Sequence, residues 1–179
     1  MEVEIKLRLG SVAEGRRRLR LAGFKVAKRR VLEQNVIFDT PGRALRRRGV
    51  VLRLRSSGAR SLVTFKGPAE RGKHKIRQEI EFDLVSGGGP GFTLVLEALD
   101  YRPAFRYEKY RSEYVPPTGA AGRAMLDETP VGVFLELEGP PRWIDRTARL
   151  LGFREADYIT ASYAELHRSA GGGLRAMLF

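Results

Sequence analysis

The feature that most restricts this chain is an alternation of apolar and ionisable residues repeated along its length. EVEIKLRL, VVLRLRS, KIRQEIEFDL and VFLELEG show it strongly, and SLVTFKG, FRYEKYRSEY and RAMLD show it in weaker form. A period of two makes each segment a β-strand with one apolar and one charged face. Val3, Ile5, Leu7 and Leu9 thus oppose Glu2, Glu4, Lys6 and Arg8. The other charged faces carry Arg53 with Arg55, Lys66, Arg77 with Glu79, Glu81 and Asp83, Lys109 with Arg111, Arg123 with Asp127, and Glu136 with Glu138. An antiparallel sheet with one wet side also alternates. Such a side, however, mixes in Ser, Thr, Asn and Gln, whereas these positions are nearly all ionisable. The strands are also numerous enough to close into a barrel, which would turn one face inward.

An inward charged face must balance itself. Residues two apart on a strand sit about 7 Å apart. Two carboxylates at that separation repel by roughly 2 kcal/mol at an effective dielectric near 20. Glu2 and Glu4 therefore need cations, either Lys and Arg or a metal ion. A polyphosphate carrying Mg²⁺ or Mn²⁺ satisfies both signs, because Lys and Arg grip phosphate oxygens and carboxylates hold hard metals.

Composition narrows the classes further. With 179 residues and 42% hydrophobic content, one packed domain is expected. The absence of Cys excludes disulfides, thiol nucleophiles and Cys-ligated zinc. The charged N-terminal residues lack a signal-type apolar region, and no apolar run reaches membrane length, so a cytoplasmic protein without a membrane partner is expected. The net charge of +12 favours polyanionic partners without choosing among them.

Helices are expected from about Val12 to Ala22, behind the Ser11/Glu14 capping box, and over PPRWIDRTARLLG. FTLVLEALD reads as a short helix, with a buried strand as the alternative its apolar density allows, and ADYITASYAELHRS reads as another helix, while VLEQNVIFD reads as a further strand. GPAERGKHK, SGGGPG and PPTGAAG read as loops. Residues 1–168 form the expected domain, followed by a glycine linker with an apolar end at 169–179. That tail leaves three expectations open: fraying, docking on its own domain, or pairing with another copy in a homodimer.

Together these residues resemble the CYTH family, named for its adenylyl cyclase and thiamine triphosphatase members. The motif E-x-E-x-K stands at Glu2, Glu4 and Lys6. In family order follow FDT (Phe38 to Thr40), LRLR (Leu52 to Arg55), TFKGP (Thr64 to Pro68), R-x-E-x-E (Arg77, Glu79, Glu81), K-x-R (Lys109, Arg111), LD (Leu126, Asp127), G-x-F-x-E-x-E (Gly132 to Glu138) and SY (Ser162, Tyr163). The resemblance implies an α+β fold, a closed antiparallel eight-stranded β-barrel (a triphosphate tunnel) with helices packed outside. It implies that Glu2, Glu4, Glu136 and Glu138 coordinate Mg²⁺ or Mn²⁺, and that Lys6, Arg53, Arg55, Lys66, Arg77, Lys109 and Arg111 bind the triphosphate. Glu79, Glu81 and Asp127 would hold those cations or complete a second metal shell. Glu4 and Lys66 are the implied catalytic residues. Hydrolytic members carry a tyrosine shortly before the FD pair that supports such a lysine. Here the neighbouring positions are Val36 and Ile37, which moves the expected activation of water toward the metal.

The expected chemistry is attack at a phosphorus of a metal-bound triphosphate. Water as nucleophile makes the protein a triphosphatase acting on tripolyphosphate, thiamine triphosphate or a nucleotide. A ribose 3′-OH attacking the α-phosphorus of ATP makes it a class IV adenylyl cyclase. The non-enzymatic alternative is an RNA- or polyphosphate-binding module using the arginine runs at 16–18 and 46–48. It is disfavoured because such runs are usually solvated and the aromatic interleaving of single-strand binders is missing. His74 and His167 read as surface residues, and Trp143 as packing at a helix start.

Overall fold

The computed structural model describes residues 1–70, 72–117, 119, 121–173 and 176–179. Arg71 of GPAERGKHK, Thr118 and Ala120 of PPTGAAG, and Leu174 and Arg175 of the tail lie outside the described residues. The elements run β1 (Glu2–Leu9), α1 (Val12–Leu21), β2 (Lys25–Asp39), α2 (Ala44–Arg47), β3 (Val51–Ser57), β4 (Arg60–Lys66), β5 (Lys75–Arg77), β6 (Glu79–Leu84), α3 (Gly88–Ala98), β7 (Arg102–Val115), β8 (Arg123–Thr129), β9 (Gly132–Glu138), α4 (Pro141–Leu150), α5 (Tyr163–Ser169) and β10 (Ala176–Met177).

Every segment read from alternation is a strand, with one instructive departure. KIRQEIEFDL breaks at Gln78 into β5 and β6, and this break closes the sheet. Its order is β5-β1-β9-β8-β7-β2-β3-β4-β6, so the two ends of the path are consecutive in the chain. β5 pairs antiparallel with β1, and β6 pairs antiparallel with β4. The Gly67 N–H donates to the Gln78 carbonyl at 2.9 Å and continues the β4 ladder across the junction. Nine strands therefore make eight staves of one antiparallel barrel, as the resemblance implied.

The barrel is inverted relative to an ordinary small barrel, with charge inside and apolar residues outside. Ile5, Leu7, Leu9, Leu126, Leu135 and Leu137 face outward and are buried beneath α1 and α4, against Leu19, Ile144 and Ala148. α1 begins where the Glu14 N–H donates to Ser11 Oγ at 3.1 Å, as the capping pattern predicts. Its Gly15 permits close approach, since a Cβ there would lie 2.6 Å from Leu126 Cδ1. α4 starts with proline in its first turn, and Trp143 packs at that start over Gly122, where a Cβ would strike the indole ring.

The remaining helices depart from the sequence reading in their limits. α3 begins at Gly88, inside the expected SGGGPG loop, because Pro90 is tolerated in a first turn. It buries Leu96 against Phe38, Leu54 and Val63 on the outer faces of β2, β3 and β4. Only the second half of ADYITASYAELHRS is helical. Its first half forms a 3₁₀ turn at Glu155–Asp157, and Ile159 then exchanges two 2.9 Å hydrogen bonds with Lys6. The four-residue α2 was not foreseen. The buried Asp39 carboxylate organises it by accepting the N–H groups of Thr40, Leu45 and Arg46 at 2.8–3.0 Å.

Of the three expectations for the tail, docking on its own domain is what the structure shows. β8 pairs with β7 only from Tyr110 to Tyr114, leaving the earlier edge of β7 open. β10 fills it, running parallel to β7 beside Arg106 and Tyr107. Met177 is buried among Phe105, Tyr107, Phe134 and Tyr163. Among the described residues no helix is long and apolar enough to cross a membrane. Removing the Met177 side chain should cost about 2–5 kcal/mol of stability. Urea unfolding of Met177→Ala checks this; a midpoint equal to that of the parent would mean the tail is not docked.

Candidate active site

The inward faces of the strands enclose a cavity of about 1130 Å³. Every site residue named from the sequence lines it except Asp127, which is fully buried behind its wall. Opposite charges meet across the strands in three linked clusters.

In the first, Lys66 Nζ lies 2.7 Å from Glu2 and 3.0 Å from Glu79, and Arg77 Nε lies 3.0 Å from Glu2. Glu4 receives Lys6 at 3.1 Å and Lys75 at 3.0 Å. Burial opposes ionisation of Glu4, but Lys6, Lys75, Lys66 and Arg77 outweigh it and hold its pKa well below the usual range. Glu79 behaves oppositely. Burial and its contact with Glu2 push its pKa up to about 8, despite Lys66. The shared lysine neutralises one carboxylate, and the second retains its proton near neutrality.

The second cluster centres on Asp127, which accepts from Lys109 at 2.9 Å, from Arg111 at 2.7 and 2.6 Å, and from the Tyr163 hydroxyl at 2.7 Å. Arg111 also reaches Glu136 at 2.9 Å, and Lys6 reaches it at 3.3 Å. Burial would raise the Glu136 pKa, but Lys6 and Arg111 lower it to about 2. Asp127 is lowered by Arg111 and Lys109 against the same burial cost. In the third cluster Arg53 donates to Thr64 at 2.9 Å, Glu81 at 3.2 Å and the Tyr107 hydroxyl at 3.3 Å. Arg55 donates to Asn35 at 3.2 Å and lies 3.4 Å from Glu33.

Register explains why these groups meet. Glu4 stands opposite Glu138 across β1 and β9, and Lys6 opposite Glu136. Burial raises the Glu138 pKa, and Arg123, at 3.9 Å, is too distant to offset it. The four expected metal ligands thus share one region, and their carboxylate oxygens are the hard donors that Mg²⁺ or Mn²⁺ prefers. Among the described residues no three such groups stand close enough together to hold an ion as placed.

Several site residues received no role in the sequence reading, although Tyr163 stands in its SY element. Lys75 shares the face of Arg77 two positions earlier, and this spacing could have found it. Glu33 lies on β2, where the interior residues Glu33, Asn35 and Ile37 carry no clean charge pattern. Tyr163 comes from a helix, so strand periodicity gave no warning that its ring would sit 5.2 Å from Lys6 Nζ and 5.1 Å from Lys109 Nζ. His74, expected at the surface, is nearly buried, with Nε2 2.8 Å from Asp145. Lys73 and the Tyr158 hydroxyl reach the same carboxylate at 3.1 Å, tying the β4–β5 loop to α4. Of the two arginine runs, only Arg46 joins the cavity lining, together with Arg43.

Residues 1–163 match the CYTH domain. The chain belongs to the CYTH family. Among its CYTH relatives, a Methanocaldococcus jannaschii protein carrying the provisional name adenylate cyclase is 28% identical over 138 residues, covering 77% of this chain and 76% of that protein. A Vibrio parahaemolyticus structure with the same provisional name superposes with a TM-score of 0.79 at 22% identity, covering 93% and 97% of the two chains. A Hippeastrum structure, also provisionally named an adenylyl cyclase but described as having a dominant triphosphatase activity, superposes at 0.71 with 20% identity over 97% and 98%. At these identities the two structures establish the tunnel fold.

Because Glu136 and Asp127 titrate lower in the folded chain than the usual carboxylate range, their ionised forms stabilise it at neutral pH. The Glu136 part of that contribution disappears as pH falls from about 4.5 towards about 2, and the Asp127 part persists to lower pH. Acid titration of the unfolding midpoint should show this loss, and Glu136→Gln should flatten it. An acid limb identical in parent and variant would contradict the pairing.

Proposed function

We propose that this CYTH protein is a divalent-metal-dependent triphosphatase that hydrolyses inorganic or organic triphosphates inside its barrel. The observation that carries this reading is the near balance of charge around the cavity. Among the described residues, twelve Lys and Arg side chains and ten Asp and Glu side chains line it, and Glu33 and Asp127 are buried behind them. A bare triphosphate would make that space strongly negative. A triphosphate entering with divalent cations restores balance, the cations meeting carboxylates and the phosphates meeting Lys and Arg.

The residues divide by what they touch. Glu2, Glu4, Glu136 and Glu138 would hold Mg²⁺ or Mn²⁺, which supplies charge neutralisation and a more acidic bound water. Lys6, Lys66, Lys75 and Arg77 surround Glu2 and Glu4, within reach of phosphate oxygens between them. Arg53, Arg55, Lys109 and Arg111 supply the other side of the clamp. Asp127 fixes Lys109 and Arg111, and Glu79 and Glu81 fix Lys66 and Arg53. Lys66 is already engaged by two carboxylates, which suits phosphate positioning better than proton abstraction. Stabilisation of developing charge by fixed cations then carries most of the rate.

A second reading rests on cavity size. At about 1130 Å³ the space exceeds the usual range for a small-ligand pocket, leaving room for an organic group beside the phosphates. Class IV adenylyl cyclase activity on ATP fits that room, and the archaeal relative bears a cyclase name. Incubation with tripolyphosphate, thiamine triphosphate and ATP, each with Mg²⁺ or Mn²⁺, decides by chromatography of products. Orthophosphate release is expected, whereas cyclic AMP with pyrophosphate would replace hydrolysis by cyclisation. Glu4→Gln should abolish turnover while cooperative unfolding persists; full activity in that variant would exclude a metal-binding role for Glu4.

A further inference from the structure

Tyr107 projects from β7 into the barrel and is buried, with its ring stacked on Phe105 at 6.0 Å between centroids. Its hydroxyl oxygen accepts a hydrogen bond from Arg53 Nη1 at 3.3 Å. A phenol that accepts from an arginine still has its own proton to donate, and among the described residues that proton makes no hydrogen bond. That proton belongs to a residue lining the cavity, surrounded by Arg53, Arg55 and Lys109. Burial would raise the phenol pKa, but these three cations outweigh it and lower it. A good donor is thus held in the cavity wall where cations concentrate.

The neighbouring strand offers no competing hydroxyl. β2 places Asn35 opposite Tyr107 and Ile37 opposite Phe105, and Ile37 is an apolar member of the cavity wall. Diagonal neighbours across a strand pair lie within reach of an aromatic side chain. Position 37 therefore lies within side-chain reach of the Tyr107 ring.

We propose that Tyr107 is a substrate-contacting residue: its phenol, fixed by Arg53, donates its O–H to an oxygen of the bound triphosphate. The contact rests on the triphosphate reading above and adds a residue that none of the family motifs contains. Tyr107→Phe keeps the ring stacked on Phe105 and leaves Arg53 paired with Thr64 and Glu81, so the barrel is retained.

The test measures tripolyphosphate affinity by titration calorimetry, phosphate release, and the urea unfolding midpoint. Tyr107→Phe should weaken affinity and kcat/KM roughly 10- to 100-fold, the size of one hydrogen bond to a charged group, with an unchanged midpoint. Adding Ile37→Tyr to that variant should recover a measurable part of the affinity by returning a phenol to the same space. Parental affinity in Tyr107→Phe overturns the proposal, as does a loss that tracks a fallen midpoint or that Ile37→Tyr leaves unrepaired. A parent chain that neither binds nor cleaves tripolyphosphate overturns the triphosphatase reading itself, which separates the two failures.

Discussion

Pairing of opposite charges inside the barrel is the constraint on which the rest of this structure depends. An unpartnered charge at this depth costs several kcal/mol, and breaking one buried pair typically costs about 3–5 kcal/mol. Glu4 between Lys6 and Lys75, and Asp127 between Lys109 and Arg111, meet that constraint through cross-strand register. The outer apolar face then follows, because β1, β8 and β9 can be covered only if α1 and α4 bring Leu19, Ile144 and Ala148 against it. An inverted barrel of this kind has a mostly charged interior, with one apolar cluster of Phe105, Tyr107, Phe134, Tyr163 and Met177. Its stability comes from the layer between barrel and helices, and its interior is left for recognition.

The same pairing limits what the interior can receive. Each cation that would grip a phosphate is already engaged by a carboxylate, so an anion must displace that carboxylate or arrive with a cation that takes it over. Glu2 and Glu4 are held by Lys66, Arg77, Lys6 and Lys75, and they are also expected metal ligands. On the proposed function, metal binding to these carboxylates and phosphate binding to these cations would be one coupled exchange, not two independent events. Few other ligands present both signs at this spacing. The Asp127 cluster differs: its carboxylate has no access to the cavity, so it positions Lys109 and Arg111 whatever is bound. Tyr163 extends that support to α5, whose ring contacts tie the covering helix to both Lys6 and Lys109.

Much of this was legible in the sequence because a period of two is read directly from residue order. Glu2, Glu4, Lys6, Arg53, Arg55, Lys66, Arg77, Lys109, Arg111, Glu136 and Glu138 each sit on a strand whose alternation gives their face. Closure was not legible from alternation, since it depends on Gln78 splitting one apparent strand between two partners. The family resemblance supplied it. Residues outside the alternation received no site role from the sequence for definite reasons, although Asp39 and Tyr163 stand in the FDT and SY elements of the resemblance. Tyr163 enters from a helix, Asp39 acts through backbone N–H groups of α2, and Glu33 is flanked by Asn35 and Ile37. Lys75 sits two residues before Arg77 on the same alternating face, so the same period reaches it. The limits of α3 and α5 were blurred by a glycine-rich entry and by a 3₁₀ turn, which periodicity does not distinguish from helix.

Coupled exchange of metal and polyanion is tested most directly by calorimetric titration of tripolyphosphate into the protein with and without Mg²⁺. Charge balance requires that affinity rise by at least an order of magnitude when Mg²⁺ is present, and that tripolyphosphate in turn tighten Mg²⁺ binding by the same factor. Equal affinity in the presence of Mg²⁺ and of a chelator would contradict it, and would make the barrel a simple cationic trap for phosphates.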